Sequence, residues 1–400
     1  MGINLPADTV YLETVKYQAG DYDNRPSLVP ISRAEFDNMT GRAGRLGMAN
    51  DRPGRAIVLA DSDFDRDILW ENYISPGTGQ EVKSVFDRAA LEDWLLHGIV
   101  CGLIDGDETM TSFFRHSFWG RQHDPAALPL ARARERLLTS EMIAYHPATG
   151  AVSATPLGRA VALSGLSVQA ARRYTSQMAL RLPETPFGWL ALALSGGDWT
   201  LPAGMLSRFE QHENLPVRML YQRFDYAVEE ITFLLPTNHR KVPLSYRQAA
   251  TVKAVLLLTD WCRLTPVQRL EEQYQLHLGQ IMALGETAGH LVAALAALIE
   301  ARDRQSPVIE ALHDQAFSLR HGIPAEYREI HQKFGDVLSR MDVSRLQQAG
   351  IDCLGELAES TDEQLSRLFV DNSKLLKIKE KLQSLKEEDD MAMVMRQQPS

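Results

Sequence analysis

Hydrophobic and polar positions recur at two different periods along this chain, and the change from one to the other divides it. Up to about residue 62, short β-rich runs alternate with turn formers. Val10-Tyr11-Leu12-Glu13-Thr14-Val15-Lys16-Tyr17 and Ser27-Leu28-Val29-Pro30-Ile31 flank Gly20-Asp21-Tyr22-Asp23-Asn24-Arg25-Pro26, a pattern that predicts a protruding hairpin spanning Val10 to Ile31. Arg55-Ala56-Ile57-Val58-Leu59-Ala60-Asp61 reads as a buried strand, and Pro76-Gly77-Thr78-Gly79 as a linker. Beyond it the period becomes helical. Leu91, Trp94, Leu95 and Ile99 share one helix face, as do Leu130, Leu137 and Leu138. A strand pair follows, Ile143 to Tyr145 and Ala151 to Ala154, around the turn His146 to Gly150. A helix entered through Pro156 then carries Arg159 outward.

Helices followed by a strand pair describe a winged-helix module. From 183 to about 320 almost no strand signal remains, and amphipathic runs over Tyr246 to Cys262 and Val267 to Arg302 predict a helical bundle. After Arg320-His321-Gly322-Ile323-Pro324 come several short helices, one over Val343 to Gln348 ended by Gly350. Lys374, Lys377, Lys379, Lys381 and Lys386 precede Glu387-Glu388-Asp389-Asp390, and the rest reads as a disordered tail.

With 400 residues the chain holds two or three domains at roughly 150 residues each. Its 44% hydrophobic and 24% charged residues are those of a globular protein. Cys101, Cys262 and Cys353 lie far apart without a CxxC pair, which signals neither a disulfide framework nor a cysteine-rich zinc site and suits a reducing cytoplasm. Met1 to Pro6 lacks the features of a secretory signal, and the longest apolar runs fall short of the roughly 20 residues that cross a bilayer, so no membrane is expected. His116, His123, His146 and His239 stand without acidic partners at ligand spacing, and no metal site is expected. The net charge of -10 repels phosphate at long range. Any nucleic-acid contact must then use local basic surfaces, of which Arg132, Arg134 and Arg136 with Arg159, Arg172 and Arg173 form the main candidate.

The strongest local motif is Glu35-Phe36-Asp37-Asn38-Met39-Thr40-Gly41-Arg42-Ala43-Gly44-Arg45. Glycines let backbone pack closely, and guanidinium groups fork onto phosphate oxygens. Upstream stands Gly2-Ile3-Asn4-Leu5-Pro6-Ala7, and downstream the strand Ala56 to Leu59. That ordered set resembles motifs V and VI of superfamily-2 helicases of the Ski-type DExH branch. The order of motif V, hairpin, motif VI, winged helix, helical bundle and small terminal domain is similar to that of the archaeal HELQ-related DNA helicases. Further resemblances are Leu157-Gly158-Arg159, Leu258-Thr259-Asp260-Trp261, Gly285-Glu286-Thr287-Ala288-Gly289-His290-Leu291 and Gln348-Ala349-Gly350-Ile351.

The resemblance implies roles for particular residues. Arg42 and Arg45 become arginine fingers toward ATP held by a first motor domain. Gly2, Asn4, Asn38 and Gly41 couple the nucleotide to the nucleic acid, although Asn38 replaces the family's glutamine with a side chain one methylene shorter. The hairpin takes the place of a strand-separating pin on which Tyr17 and Tyr22 stack, or else is a plain exposed hairpin. His290 stands on the ratchet helix where relatives place a tryptophan, and Ala283 where they place an arginine; an ordinary surface position is the equal alternative. The end of the chain resembles a degenerate helix-hairpin-helix, with Arg345 at a basic position and Ser339 in place of a glycine that presents backbone N–H groups to phosphate.

No GxxxxGK[ST] phosphate loop or DExH box occurs in the sequence. The expectation is therefore the C-terminal portion of an ATP-dependent DNA helicase that does not hydrolyse ATP alone. ATP and Mg serve the complete enzyme, and no cofactor serves this chain by itself. Its partners are single-stranded or forked DNA, with RNA still open, and an N-terminal motor domain in cis or in trans. The expected fold is mainly α with an α/β start: a partial RecA-like domain (1–62), a winged helix (63–175), a helical ratchet bundle (176–320), a helix-hairpin-helix-like domain (321–386) and a tail (387–400). The rival reading is a non-enzymatic nucleic-acid-binding or protein-interaction module derived from a helicase.

Overall fold

In a computed structural model of the chain the described residues are 7–19, 26–44, 54–75, 84, 86, 90–124, 128–202, 204–235 and 244–397. They fall into two compact units: Met1–Ala90 with Phe114–Ala127 and Thr200–Ala203, and Leu91–Phe113 with Leu128–Trp199 and Gly204–Ser400. Helix predominates, and the strands among the described residues form three two-stranded sheets.

The first unit opens with β1 (Thr9–Leu12), β2 (Val15–Ala19), β3 (Pro26–Pro30), α1 (Arg33–Thr40), β4 (Arg55–Val58) and α2 (Asp63–Leu69), which runs into a π-helical turn at Trp70–Ile74. β1 pairs with β4 in parallel, Leu12 opposite Val58, while β2 and β3 are antiparallel, Val15 opposite Pro30. The hairpin thus begins at Val15, not at Val10 as alternation predicted. The reason is burial: Leu12 packs with Ile31, Phe36 and Tyr73 in a small core that also takes Val10 and Val58, so β1 belongs to the parallel pair. Tyr73 Oη donates to the Ile31 carbonyl at 2.7 Å, closing that core.

Next along the chain come α3 (Leu91–Val100), α4 (Asp107–Arg115), α5 (Phe118–Gln122), α6 (Leu130–Thr139), β5 (Ile143–His146), β6 (Ala151–Ala154), α7 (Pro156–Leu163) and α8 (Val168–Leu180). β5 and β6 pair antiparallel around a turn in which Gly150 takes φ 67°. Thr155 caps α7 by accepting from the Gly158 N–H, with Pro156 in the first turn where its missing donor costs nothing. A Cβ on Gly158 would lie 1.9 Å from the Met142 carbonyl oxygen. The glycine of Leu157-Gly158-Arg159 is therefore a packing requirement.

The helical region holds α9 (Pro186–Gly196), α10 (Arg208–His212), α11 (Leu215–Arg223), a 3-10 turn at Asp225–Ile231, α12 (Tyr246–Cys262), α13 (Val267–Tyr274), α14 (Leu278–Glu300) and α15 (Val308–His321). α9 and α12 are buried nearly all round. The single helix predicted over Val267 to Arg302 is broken, because Gln275 adopts φ 52° and Leu276 turns into the core. α14 packs along α15 through Gly285 and Gly289, where an added Cβ would lie 2.4 Å from the Leu319 oxygen and 2.7 Å from the Ala316 oxygen. Contrary to the expectation from apolar run lengths, α14 is long and apolar enough to cross a membrane; most of it is spent against α15, α9 and α7.

The chain ends in α16 (Arg328–Phe334), α17 (Arg340–Gln348), α18 (Leu354–Glu359), α19 (Asp362–Leu368) and α20 (Asn372–Gln397). Tyr327, Phe334, Leu346, Leu357, Phe369 and Ile378 build a core for these helices. α20 continues helical to Gln397, so the stretch read as a tail from 387 carries regular backbone almost to its end.

Candidate nucleic-acid interface

The arginine motif sits at the end of α1. Ser32 and Glu35 form a reciprocal capping box that starts the helix. Glu35 also accepts from Lys16 Nζ on β2 at 2.5 Å, which ties the hairpin to the motif helix. That hydrogen bond, with those from Ser32, holds the Glu35 carboxyl down at about 2. Asn38 is exposed on α1, and Gly41 caps the helix by donating to the Asp37 oxygen. The loop then turns back: Ala43 bridges to Ala7, and the Gly44 N–H donates to the Ala7 carbonyl at 2.9 Å with Gly44 at φ 62°. A Cβ on Gly54 would fall 2.3 Å from the Ala43–Gly44 backbone, so this loop is clasped on its other side by a residue that must be glycine. Arg42 projects from the clasped loop, exposed, its guanidinium without a hydrogen-bonded or ionic partner among the described residues. Gly2, Asn4 and Arg45 lie outside the described residues.

On the hairpin, Tyr17 is 63% exposed and pairs across the strands with Leu28, itself 59% exposed. An aromatic and an aliphatic side chain open to solvent on one hairpin face offer a surface for stacking. Tyr22 lies outside the described residues.

In the second unit Arg159 on α7 and Arg172 and Arg173 on α8 are exposed. Arg173 donates to the Gly196 carbonyl at 3.1 Å and pairs with Asp198 at 3.5 Å; Arg172 has no such partner among the described residues. The basic run on α6 is largely neutralised, since Arg134 pairs with Asp107 and Arg136 with Glu92. On α14, Ala283, Glu286 and His290 lie along one exposed face at helical spacing. Glu286, one turn before His290, puts a negative charge on the face that the ratchet reading assigns to a strand.

Two further regions, around Asp260-Trp261 and around Ser339, are tied down by contacts within the chain. Asp260, 4% exposed, accepts from both Arg223 nitrogens at 2.9 and 2.5 Å and from Tyr274 Oη at 2.6 Å. Trp261 donates its indole N–H to the Leu319 carbonyl at 3.0 Å, and the Arg340 guanidinium stacks on its ring at 4.4 Å. A Cβ at Gly322 would strike that ring. Near the chain's end, Ser339 begins α17, and its N–H and hydroxyl both donate to Asp342. Lys374 and Arg345 also point their charges at Asp342. At this helix start, where serine stands in place of the phosphate-presenting glycine, the N–H and hydroxyl are turned onto the chain's own Asp342, and Arg345 pairs with that carboxylate.

The sequence of the chain is similar to those of known helicases. No protein-family model matches the chain. An ATP-dependent DNA helicase Hel308 from Aeropyrum pernix is 24% identical over 372 residues, 92% of this chain and 46% of the relative. The Hel308 of Thermococcus kodakarensis is 22% identical over 334 residues, 82% of this chain and 28% of the relative. The chain is related to the Hel308 helicases. It spans about half or less of the length of these curated relatives. A shorter stretch of 129 residues is 30% identical to a DExH-box ATP-dependent RNA helicase, DExH10, of Arabidopsis thaliana. The Hel308 relationship extends over both units, so the buried Asp260 network and the Gly285 and Gly289 contacts lie in the same similar span as the arginine loop.

Proposed function

We propose that the chain is the strand-engaging portion of an ATP-dependent superfamily-2 DNA helicase, active in strand separation when a first motor domain accompanies it. The observation that carries this reading is the arginine loop, clasped between Ala7 and Gly54, with the Arg42 guanidinium exposed and unpaired among the described residues. A charged side chain on a fixed loop suits the transition state of phosphoryl transfer, which needs positioned positive charge and little else. ATP with Mg, bound on the motor domain, supplies the free energy of hydrolysis; Arg42 and Arg45 face it, and Asn38 and Gly41 hold the loop's approach. Gly2 and Asn4 couple that site to the backbone of the strand.

In this reading 1–62 is a partial RecA-like domain, 63–175 a winged helix, 176–320 the ratchet bundle and 321–386 a helix-hairpin-helix-like domain. Tyr17 and Tyr22 meet the last base pair, Arg159, Arg172 and Arg173 the phosphates, and His290 a base along α14. The protein works in solution, in the cytoplasm, on single-stranded or forked DNA. A second reading, a protein-interaction module, is favoured for the terminal domain alone, where Ser339 donates to Asp342 and Arg345 pairs with that same carboxylate.

The test is fluorescence anisotropy with a labelled single strand over a salt series. Binding is expected to be weak, indifferent to sequence and steeply reduced by salt, since it rests on phosphate contacts and stacking. Absence of binding at low salt, or tight binding that salt hardly changes, would overturn the proposal.

A further inference from the structure

An open cleft of about 790 Å³ lies wholly within the second unit, between α8, the end of α9 and the start of α12. Its size is that of a small-molecule pocket, roughly 300–1,000 Å³, but its walls are about as polar as they are apolar, where such pockets are mostly apolar. Arg172 and Arg173 from α8 and Arg247 from α12 converge on it, and among the described residues no acidic side chain lines it. Gln169, Ser176 and Gln177 extend the α8 wall at helical spacing, and none has a side-chain hydrogen bond among the described residues. Phe233, 36% exposed, stands in the wall as the cleft's aromatic residue.

The arginines are held, not loose. The Arg247 guanidinium lies over the Trp199 ring at 5.6 Å and reaches the Gly197 carbonyl at 3.4 Å, while Arg173 is anchored on Gly196 and Asp198. Burial, and then the like charge of Arg173, makes the Arg247 guanidinium less basic than usual. Like charges gathered in a cleft with a single nearby carboxylate cost free energy that an anion would recover. Guanidinium groups with amide and hydroxyl donors are the groups that hold phosphate and sugar oxygens, and an aromatic face beside a basic groove is what single strands use for stacking.

We propose that this cleft binds the phosphodiester backbone of a single strand, with a base stacked on Phe233. The proposal rests on the reading of the chain as strand-engaging and assigns that role a place away from α14. A second helix brings Arg247 to the α8 arginines, so the cleft grips a backbone from two sides.

The experiment measures binding of labelled dT20 to the full chain across a salt series, for the wild type and for Arg172→Gln, Arg247→Lys, Phe233→Ala and Arg367→Gln, the last a surface pair elsewhere. Circular dichroism and thermal unfolding confirm that each variant is folded. Arg172→Gln should weaken binding and lower the log–log salt slope by about 0.7, one phosphate contact on a single strand. Arg247→Lys, keeping the charge but losing the fork, should weaken binding with the slope kept. Phe233→Ala should cost roughly 5- to 150-fold with the slope unchanged, and Arg367→Gln should match the wild type.

If the wild type binds dT20 and the three cleft variants bind it equally well, the cleft proposal falls and the strand-engaging reading stands. If the wild type does not bind at all, both fall. Polyglutamate of matched charge displacing dT20 as well as unlabelled dT20 does would replace the strand with an acidic protein partner. Pyrophosphate displacing it at comparable concentration, with Phe233→Ala silent, would replace it with a free phosphate compound.

Discussion

Asp342 shows how one side chain settles what a helix start can do. It is 2% exposed and takes hydrogen bonds from Ser339 and Lys374. Burial alone would push its carboxyl up, but the bonds from Lys374 and Ser339 outweigh burial and hold it below its ordinary 3.8. A depressed folded value means that the stabilisation is complete above the ordinary carboxylate range and is lost as pH falls through the lowered value. Asp342→Asn should therefore destabilise the chain near neutral pH and flatten its acid response, so that the stability gap to wild type narrows below about pH 4 in urea titrations run across pH. An unchanged acid limb would show that Asp342 does not carry it. Asp260 makes a second case, an ion pair with Arg223: Asp260→Ala strands the Arg223 charge and the buried Tyr274 hydroxyl. The expected loss is about 3 kcal/mol by denaturant unfolding.

At the scale of elements, α14 and α15 meet backbone to backbone, and their glycines allow it. Gly285→Ala and Gly289→Ala should each cost about 1–3 kcal/mol, read from unfolding midpoints, because the new methyl meets carbonyl oxygens that cannot move singly. The opposite face of α14 is open at Ala283, Glu286 and His290. There His290→Trp should tighten single-strand binding through a larger stacking face, and added Ala283→Arg should tighten it further and steepen the salt dependence. No change in either, with the fold intact by circular dichroism, would remove α14 from the strand path.

The same elements show what the sequence discloses. Period, the turn at Gly150 and the entry through Pro156 announced β5, β6 and α7, and period alone announced α12, while the capping box of Ser32 and Glu35 that starts α1 was not read from the sequence. The break between α13 and α14 stayed hidden, since Gln275 adopts a left-handed backbone without being glycine, and the buried Leu276 keeps the apolar period running across it. Arg42 was legible in a contiguous motif. The convergence of Arg172, Arg173, Arg247 and Phe233 was not, because only the packing of α8 and of α12 against α9 brings such distant positions together.

For the whole molecule, charge and motif content bound what the chain does unaided. It carries a net charge of -10 and places arginines on a loop in the first unit and in a cleft in the second. Neither place has a partner for the β- and γ-phosphates of a nucleotide, because the sequence holds no GxxxxGK[ST] loop to cradle them and no DExH acid to hold the metal. An arginine finger stabilises charge in a transition state that other groups must first assemble, so in the proposed role Arg42 and Arg45 would give no turnover alone. A coupled ATPase assay on the repurified chain with saturating single-stranded DNA should read background. Mixing in a first motor domain bearing both motifs should raise the rate, and Arg42→Ala or Arg45→Ala in this chain should then lower it by roughly 10³–10⁵. Turnover by the chain alone that survives repurification and vanishes in Arg45→Ala would mean that it assembles a nucleotide site from residues other than the family's motifs.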